Sequence, residues 1–157
     1  MISEVASLWT KLRADREAFR AAVAAVPADL LDWRPSYTAK EGLKPPPCVR
    51  EIALHSIGAD QVYCHRILHG NSELQRLSID TPCTKDELLR MIDGGDASCE
   101  EVLESITPAL WTQVRAETWG SDPHGPHTTE FFVRQINRHK YYHTAQINYV
   151  HLLLGIE

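Results

Sequence analysis

Residues 128–155 read TTEFFVRQINRHKYYHTAQINYVHLLLG, and the stretch His139-Lys140-Tyr141-Tyr142-His143 within them decides the fold. Thr128 or Thr129 supplies a capping hydroxyl and Gly155 a stop, so the segment reads as one long helix. At about 100° per residue from His139, His143 lies near +40°, Gln146 near −20° and Gln135 near −40°. Phe132, Ile136, Val150, Leu153 and Leu154 fall within about 60° of the same direction. Arg134, Asn137, Arg138, Lys140, Tyr141, Thr144 and Asn148 point elsewhere. The two histidines therefore interrupt the apolar stripe of an amphipathic helix. Imidazoles that face a core need partners. Two of them one turn apart on a rigid element have the spacing with which a single metal ion collects two nitrogen ligands. The plainer alternative is a pair of hydrogen-bonded core histidines.

The rest of the chain is helical in the same way. Val5, Leu8, Trp9, Leu12, Phe19, Val23 and Val26 recur at helical spacing from about Ser3, and Pro27 closes that segment. A long connection follows from Ala28 to Pro47, with Pro35, Gly42 and the run Pro45-Pro46-Pro47. Its length suggests a crossover between helix ends rather than a tight hairpin. The second helix starts near Pro47 or Cys48 and stops at Gly70. The third begins at Thr84, where Thr84-Lys85-Asp86-Glu87 reads as a capping box. Gly94-Gly95 in its middle could kink it, and Thr107-Pro108 ends it. Gly120, Asp122-Pro123 and Gly125-Pro126 mark a loop, with loose alternation over 113–118 that leaves a short strand open. The expectation is an all-α four-helix bundle, with a long crossover between the first two helices and one domain over residues 1–157.

Bulk composition narrows the function. At 157 residues the chain can bury one sizeable core. A net charge of −5 with no basic cluster argues against nucleic acid, because phosphate contacts need concentrated Lys and Arg. No apolar run is long enough to span a bilayer, and Met1-Ile2-Ser3-Glu4 does not resemble a secretory signal. Cys48, Cys64, Cys83 and Cys99 form no Cys-x-x-Cys pair, so reduced thiols and a cytoplasmic location are expected.

A metal site usually needs at least three protein ligands, and in a bundle the others come from facing helices. The second helix offers His55, His65 and His69. His55 and His69 are about 21 Å apart along the axis, so one ion cannot use both. His65 and His69 sit at the helix end, where positive charge is favourable. His55, on the side bearing Ile52 and Ala59, is the better candidate. Glu51 lies one turn before it, as a carboxylate that orients a ligand, as a general base, or simply as a first-turn acid suited to the helix dipole. Gln146 and Gln135 flank the histidine pair and could bond a ligand or substrate. Tyr142 and Tyr63 could act as phenol donors or only pack. Trp33 and Tyr37 could line a pocket mouth or pack under their loop. His124 and His127 read as solvated loop residues, and His151 as surface or interface.

The segments Leu31-Asp32-Trp33-Arg34-Pro35, Val49-Arg50-Glu51-Ile52-Ala53-Leu54-His55 and His139-Lys140-Tyr141-Tyr142-His143-Thr144-Ala145-Gln146-Ile147 resemble the DinB/YfiT-like family. The resemblance covers nearly the whole chain. It implies four helices around a divalent metal, commonly zinc or nickel, held by His55, His139 and His143. It also implies a homodimer. Known activities of the family include transfer of low-molecular-weight thiols such as bacillithiol and mycothiol-dependent isomerisation of maleylpyruvate. The family's usual Arg-Gly after the last histidine is replaced here by Thr144-Ala145. The expected function is a metal-dependent enzyme of the thiol S-transferase type acting on a small electrophile. The alternatives are a metal-dependent hydrolase, a non-catalytic metal- or ligand-binding protein of a stress response, and a purely structural ion pinning the second and fourth helices.

Overall fold

The computed structural model describes residues 1–35, 45–71, 73–115 and 126–156. The helices are α1 (Ser3–Ala25), α2 (Val49–Gln61), α3 (Lys85–Glu104), the short α4 (Pro108–Trp111) and α5 (Thr129–Leu154). A 3-10 turn spans Ala28–Leu30, and α2 runs on as a π-helix over Val62–Leu68. Among the described residues the only β pairing is an isolated antiparallel bridge between Val114 and Thr128, at the start of the stretch where a strand was left open. The rest of that stretch, 116–118, lies outside the described residues, as do Tyr37 and His124.

Local chemistry sets the ends. Thr84 Oγ1 accepts from Glu87 N–H while the Glu87 carboxylate accepts from Thr84 N–H, a reciprocal cap that opens α3. Thr128 Oγ1 accepts from Phe131 N–H at the start of α5, and Gly155 ends it with φ 67°, a left-handed value that only glycine adopts without strain. The Gly94-Gly95 pair does not break α3, which is continuous from Lys85 to Glu104.

Cross-helix pairs fix the directions. Along α1 and α3, Arg13 meets Glu100, Arg16 meets Asp96 and Arg20 meets Asp93, so these two run antiparallel. Cys64 meets Cys99 and His69 meets Ser105, so α2 and α3 run parallel. Asp60 meets Lys140 and His55 meets His139 and His143, so α2 and α5 are antiparallel. Antiparallel to α3, α1 is also antiparallel to α2. Ala25 and Val49, the ends joined by the long connection expected there, therefore lie at the same end of the bundle. Residues 36–44 of that connection lie outside the described residues. Parallel α2 and α3 require the next connection, residues 69–84, to travel the bundle's length. That segment lies hard against α2: a Cβ on Gly58 would stand 2.9 Å from the Leu77 carbonyl oxygen. Leu77 N–H also donates to Gln61 Oε1 at 3.1 Å.

The core falls into two apolar clusters. One holds Val5, Trp9, Leu12, Tyr63, Val102, Leu103, Phe132 and Ile136, the other Phe19, Val23, Ile52, Leu54, Leu88, Ile92, Ile147 and Val150. Each long helix passes from one to the other through a charged side chain: Arg16, Asp60, Asp96 and Lys140. Three of the four are nearly sealed from solvent, with Arg16 2%, Asp60 2% and Lys140 1% exposed. Asp60 Oδ2 accepts from Lys140 Nζ at 2.8 Å and from Arg16 Nη2 at 3.2 Å, and Asp96 also pairs with Arg16. Two cations and two carboxylates leave the layer formally neutral, which makes the burial tolerable. Burial alone would raise the Asp60 carboxyl, but the Lys140 ammonium and the Arg16 guanidinium hold it below its ordinary value. Asp96 is pushed up, chiefly by burial.

Candidate metal centre

His55 from the second turn of α2 and His139 and His143 from consecutive turns of α5 converge, because α2 and α5 pack directly on one another. His139 Nε2 lies 3.2 Å from His55 Nε2 and 3.0 Å from His143 Nε2. One nitrogen from each of the three lies within 4.8 Å of the others. Neighbouring ligands on a single ion with bonds of about 2.1 Å sit about 3.0–3.4 Å apart. The spacing and the donor set therefore fit one divalent cation.

Protonation fits as well. Burial, then the neighbouring His143 imidazole, pushes His55 down to about 4 and His139 down to about 3. His143 is also lowered by burial, against an opposing hydrogen bond from Gln146. All three are neutral near pH 7 and can offer lone pairs. His143 Nδ1–H donates to Gln146 Oε1 at 2.6 Å, which leaves Nε2 bare and aimed at the cluster. Gln146 Nε2 in turn donates to Tyr142 Oη at 3.2 Å, fixing the amide. His139 Nδ1 is buried with no hydrogen-bond partner among the described residues. His55 differs: Arg76 Nη2 donates to its Nδ1 at 2.8 Å. A neutral imidazole that accepts at Nδ1 carries its proton on Nε2, so a cation can be held at Nε2 only if Arg76 gives way.

A cavity of about 200 Å³ opens on His55 and His143, walled by Pro47, Glu51, Ile52, Ile79 and Gln146. It adjoins an apolar groove of about 340 Å³ that shares Pro47, Ile52 and Gln146 and extends past Tyr142, Ala145 and Tyr149. Both Glu51 oxygens are committed, Oε1 to Arg34 and Oε2 to Cys48 N–H at 3.1 Å. The Arg34 hydrogen bond holds the Glu51 carboxyl below its usual range.

The other sequence candidates are placed as follows. Gln135 is half-buried on α5 but is not a recorded partner of the three imidazoles. Trp33 is half-buried and packs against the second apolar cluster rather than lining either cavity beside the histidines. Tyr63 is buried with its ring edge-on to His139, centroids 6.1 Å apart. His127 stacks on Phe131 at 3.7 Å between centroids rather than standing in solvent. His151 ties α5 to α1 by donating Nε2–H to the Ala22 carbonyl at 2.9 Å. His65 is half-buried and bonded to Ser98, whereas His69 is exposed.

Sequence reasoning missed Arg76 and Ile79, because nothing in a connecting segment says which helix it will cross. It also set Lys140 off the apolar stripe and passed over Arg16, whereas both are buried, at 1% and 2% exposed, and the signal was present. Arg16 stands four residues after Leu12 and three before Phe19, and Lys140 four after Ile136 and seven before Ile147, all at core spacing.

Over residues 11–147 the chain matches the family described as the DinB superfamily. No curated protein matches it. Among solved structures it is similar to a DinB-like protein from Bacillus cereus ATCC 10987, with TM-score 0.71 and 14% identity over 99% of this chain and 94% of that one. It is also similar to a conserved protein from Enterococcus faecalis, with TM-score 0.69 and 15% identity over 99% of each chain. At these identities the two structures speak to the fold alone.

Proposed function

The chain belongs to the DinB superfamily, and on that footing we propose that it is a divalent-metal enzyme of the thiol S-transferase type acting on a small, largely apolar electrophile. One observation carries the reading: three imidazole nitrogens cluster within reach of one ion, and two of the rings, His55 and His143, line an open cavity rather than a closed shell. Structural sites surround their ion with protein ligands, whereas sites that do chemistry keep a position free. Bound there, zinc or nickel supplies the Lewis acidity that lowers the pKa of a thiol or a water molecule near neutrality.

The chain's own side chains do the rest. Gln146 holds the His143 ring in the ligating tautomer. Pro47, Ile52 and Ile79 give the cavity an apolar wall beside the imidazoles. The groove past Tyr142 and Tyr149 accepts an apolar body. Glu51, read from the sequence as a possible general base, enters as a wall residue that fixes Arg34 and the start of α2, because neither of its oxygens is free. A homodimer is proposed on the outer face of α5, where Tyr141 and Leu152 are exposed and line neither cavity beside the histidines. Light scattering on the purified protein tests that. No described helix is long and apolar enough to cross a membrane.

The decisive experiment measures bound metal in untagged protein, then assays conjugation of low-molecular-weight thiols to small aromatic electrophiles. Activity should vanish on chelation and return with one metal. Hydrolysis without thiol dependence would move the reading to a hydrolase. Folded protein with no affinity for divalent ions would end it.

A further inference from the structure

A second cavity lies away from the imidazole cluster. It holds about 430 Å³ between α2, its π continuation, α3 and the segment that travels the bundle's length. It shares no lining residue with the cavity beside His55 and His143.

Three costly features converge on it. The first is the π-helix over Val62–Leu68. Such segments are rare within helices and occur frequently at functional sites. Here it presents His65, whose Nε2 lies 2.7 Å from Ser98 Oγ across the cavity wall. The second is the glycine pair in the middle of α3. Each mid-helix glycine costs stability relative to alanine. Packing does not demand either one: a Cβ on Gly94 would meet nothing within 4 Å, and one on Gly95 only Ile57 at an ordinary 3.6 Å. Both line the cavity, and leaving out their side chains keeps it open. The third is Asp60. Its Oδ2 is held by Lys140 and Arg16, whereas its buried Oδ1 has no hydrogen-bond partner among the described residues.

The lining chemistry defines the occupant. Asp60, Gln61, His65, Asn71 and Ser98 give acceptors and neutral donors, and Leu74, Leu77 and Met91 give an apolar wall. Among the described residues no Lys or Arg lines it, so an anionic ligand meets no counter-charge from them. Asp60 is already paired with two cations, so it favours a neutral donor over another ammonium. We infer that this cavity is a second small-molecule site, taking a neutral ligand with an apolar body and a hydroxyl or amide donor directed at Asp60.

The test uses isotope-labelled full-length protein, both metal-loaded and chelator-treated, titrated with benzamide, benzyl alcohol and benzoate. The two neutral probes should produce saturable amide shifts at Asn71, Gly94, Gly95 and Ser98, the same with and without metal. Benzoate should bind at least ten-fold more weakly. Gly94→Leu should abolish the shifts and Gly94→Ala retain them, and Gly94→Ala should raise the melting temperature because the glycine is not needed for packing. Absence of saturable shifts with both neutral probes, or unchanged shifts in Gly94→Leu, overturns the site. If Gly94→Leu does not fold, Ser98→Ala takes its place and should weaken the neutral probes several-fold, with no change counting against the site. A melting temperature lowered by Gly94→Ala would assign the glycines to helix packing and remove the argument. Independence from metal separates failure here from failure of the metal-enzyme reading.

Discussion

Replacing Asp60 with asparagine keeps the shape of the buried layer and removes one of its four charges. Lys140 and Arg16, 1% and 2% exposed, would then share Asp96 alone. Taking one partner from a buried ion pair costs about 3–5 kcal/mol, because the stranded charge has neither water nor a counter-ion. For a chain of this length each kcal/mol is worth roughly 2–4 °C in melting temperature, so the expected fall is roughly 6–20 °C. The clean measurement is a double-mutant cycle by urea denaturation with Asp60→Asn, Lys140→Met and the pair. The double variant restores neutrality with Arg16 and Asp96, so it should be more stable than the sum of the single losses predicts, by at least about 1 kcal/mol. A loss below about 1 kcal/mol for Asp60→Asn, or strict additivity, would refute the view that the four charges act as one unit.

Gln146→Ala releases the His143 Nδ1 proton from its acceptor, and metal affinity measured by competition with a chromophoric chelator should fall by about 10–100-fold; unchanged affinity would make the contact incidental. Arg76→Ala frees His55 Nδ1 and should tighten metal binding in the same assay, and weaker binding would contradict the tautomer argument. In chelator-treated protein, stability should decline as pH falls. Unfolded imidazoles take up protons near pH 6.5, whereas folded His55 and His139 resist until about 4 and about 3, so the unfolded state binds more protons in that window. Stability is therefore fully present above about pH 6.5 and is lost progressively down to about pH 3; a flat urea midpoint across that range would show that the rings are not held neutral.

Much of this was written in the spacing of residues. The stripe carrying His139 and His143 marked both a buried helix face and its two interruptions, and His55 lay on the matching face of α2. Thr84, Thr128 and Gly155 marked their helix ends through local hydrogen bonding and φ, which depend on near neighbours alone. What periodicity could not supply was everything set by the path of the chain between helices. The direction of α2 relative to α3 follows from a connection whose course is decided by tertiary packing at Gly58 and Gln61. Arg76 reaches His55 only because of that course. The π-helix was equally hidden, since Val62–Leu68 has the composition of an ordinary helix. Leu153 kept its place on the stripe by angle yet is 45% exposed, because it lines the apolar groove beside Pro35, Pro46 and Pro47 instead of entering the core.

Among the described residues no buried side chain belongs to both apolar clusters, and Arg16, Asp60, Asp96 and Lys140 lie between them. Ion pairs resist separation but transmit packing poorly, so each half of the bundle can loosen without dragging the other with it. A cation gripped by α2 and α5 together would act there as a rivet across the joint. Amide exchange should then slow on both sides when the ion is added, and ligand occupancy would be felt as mechanical continuity along the length of the molecule.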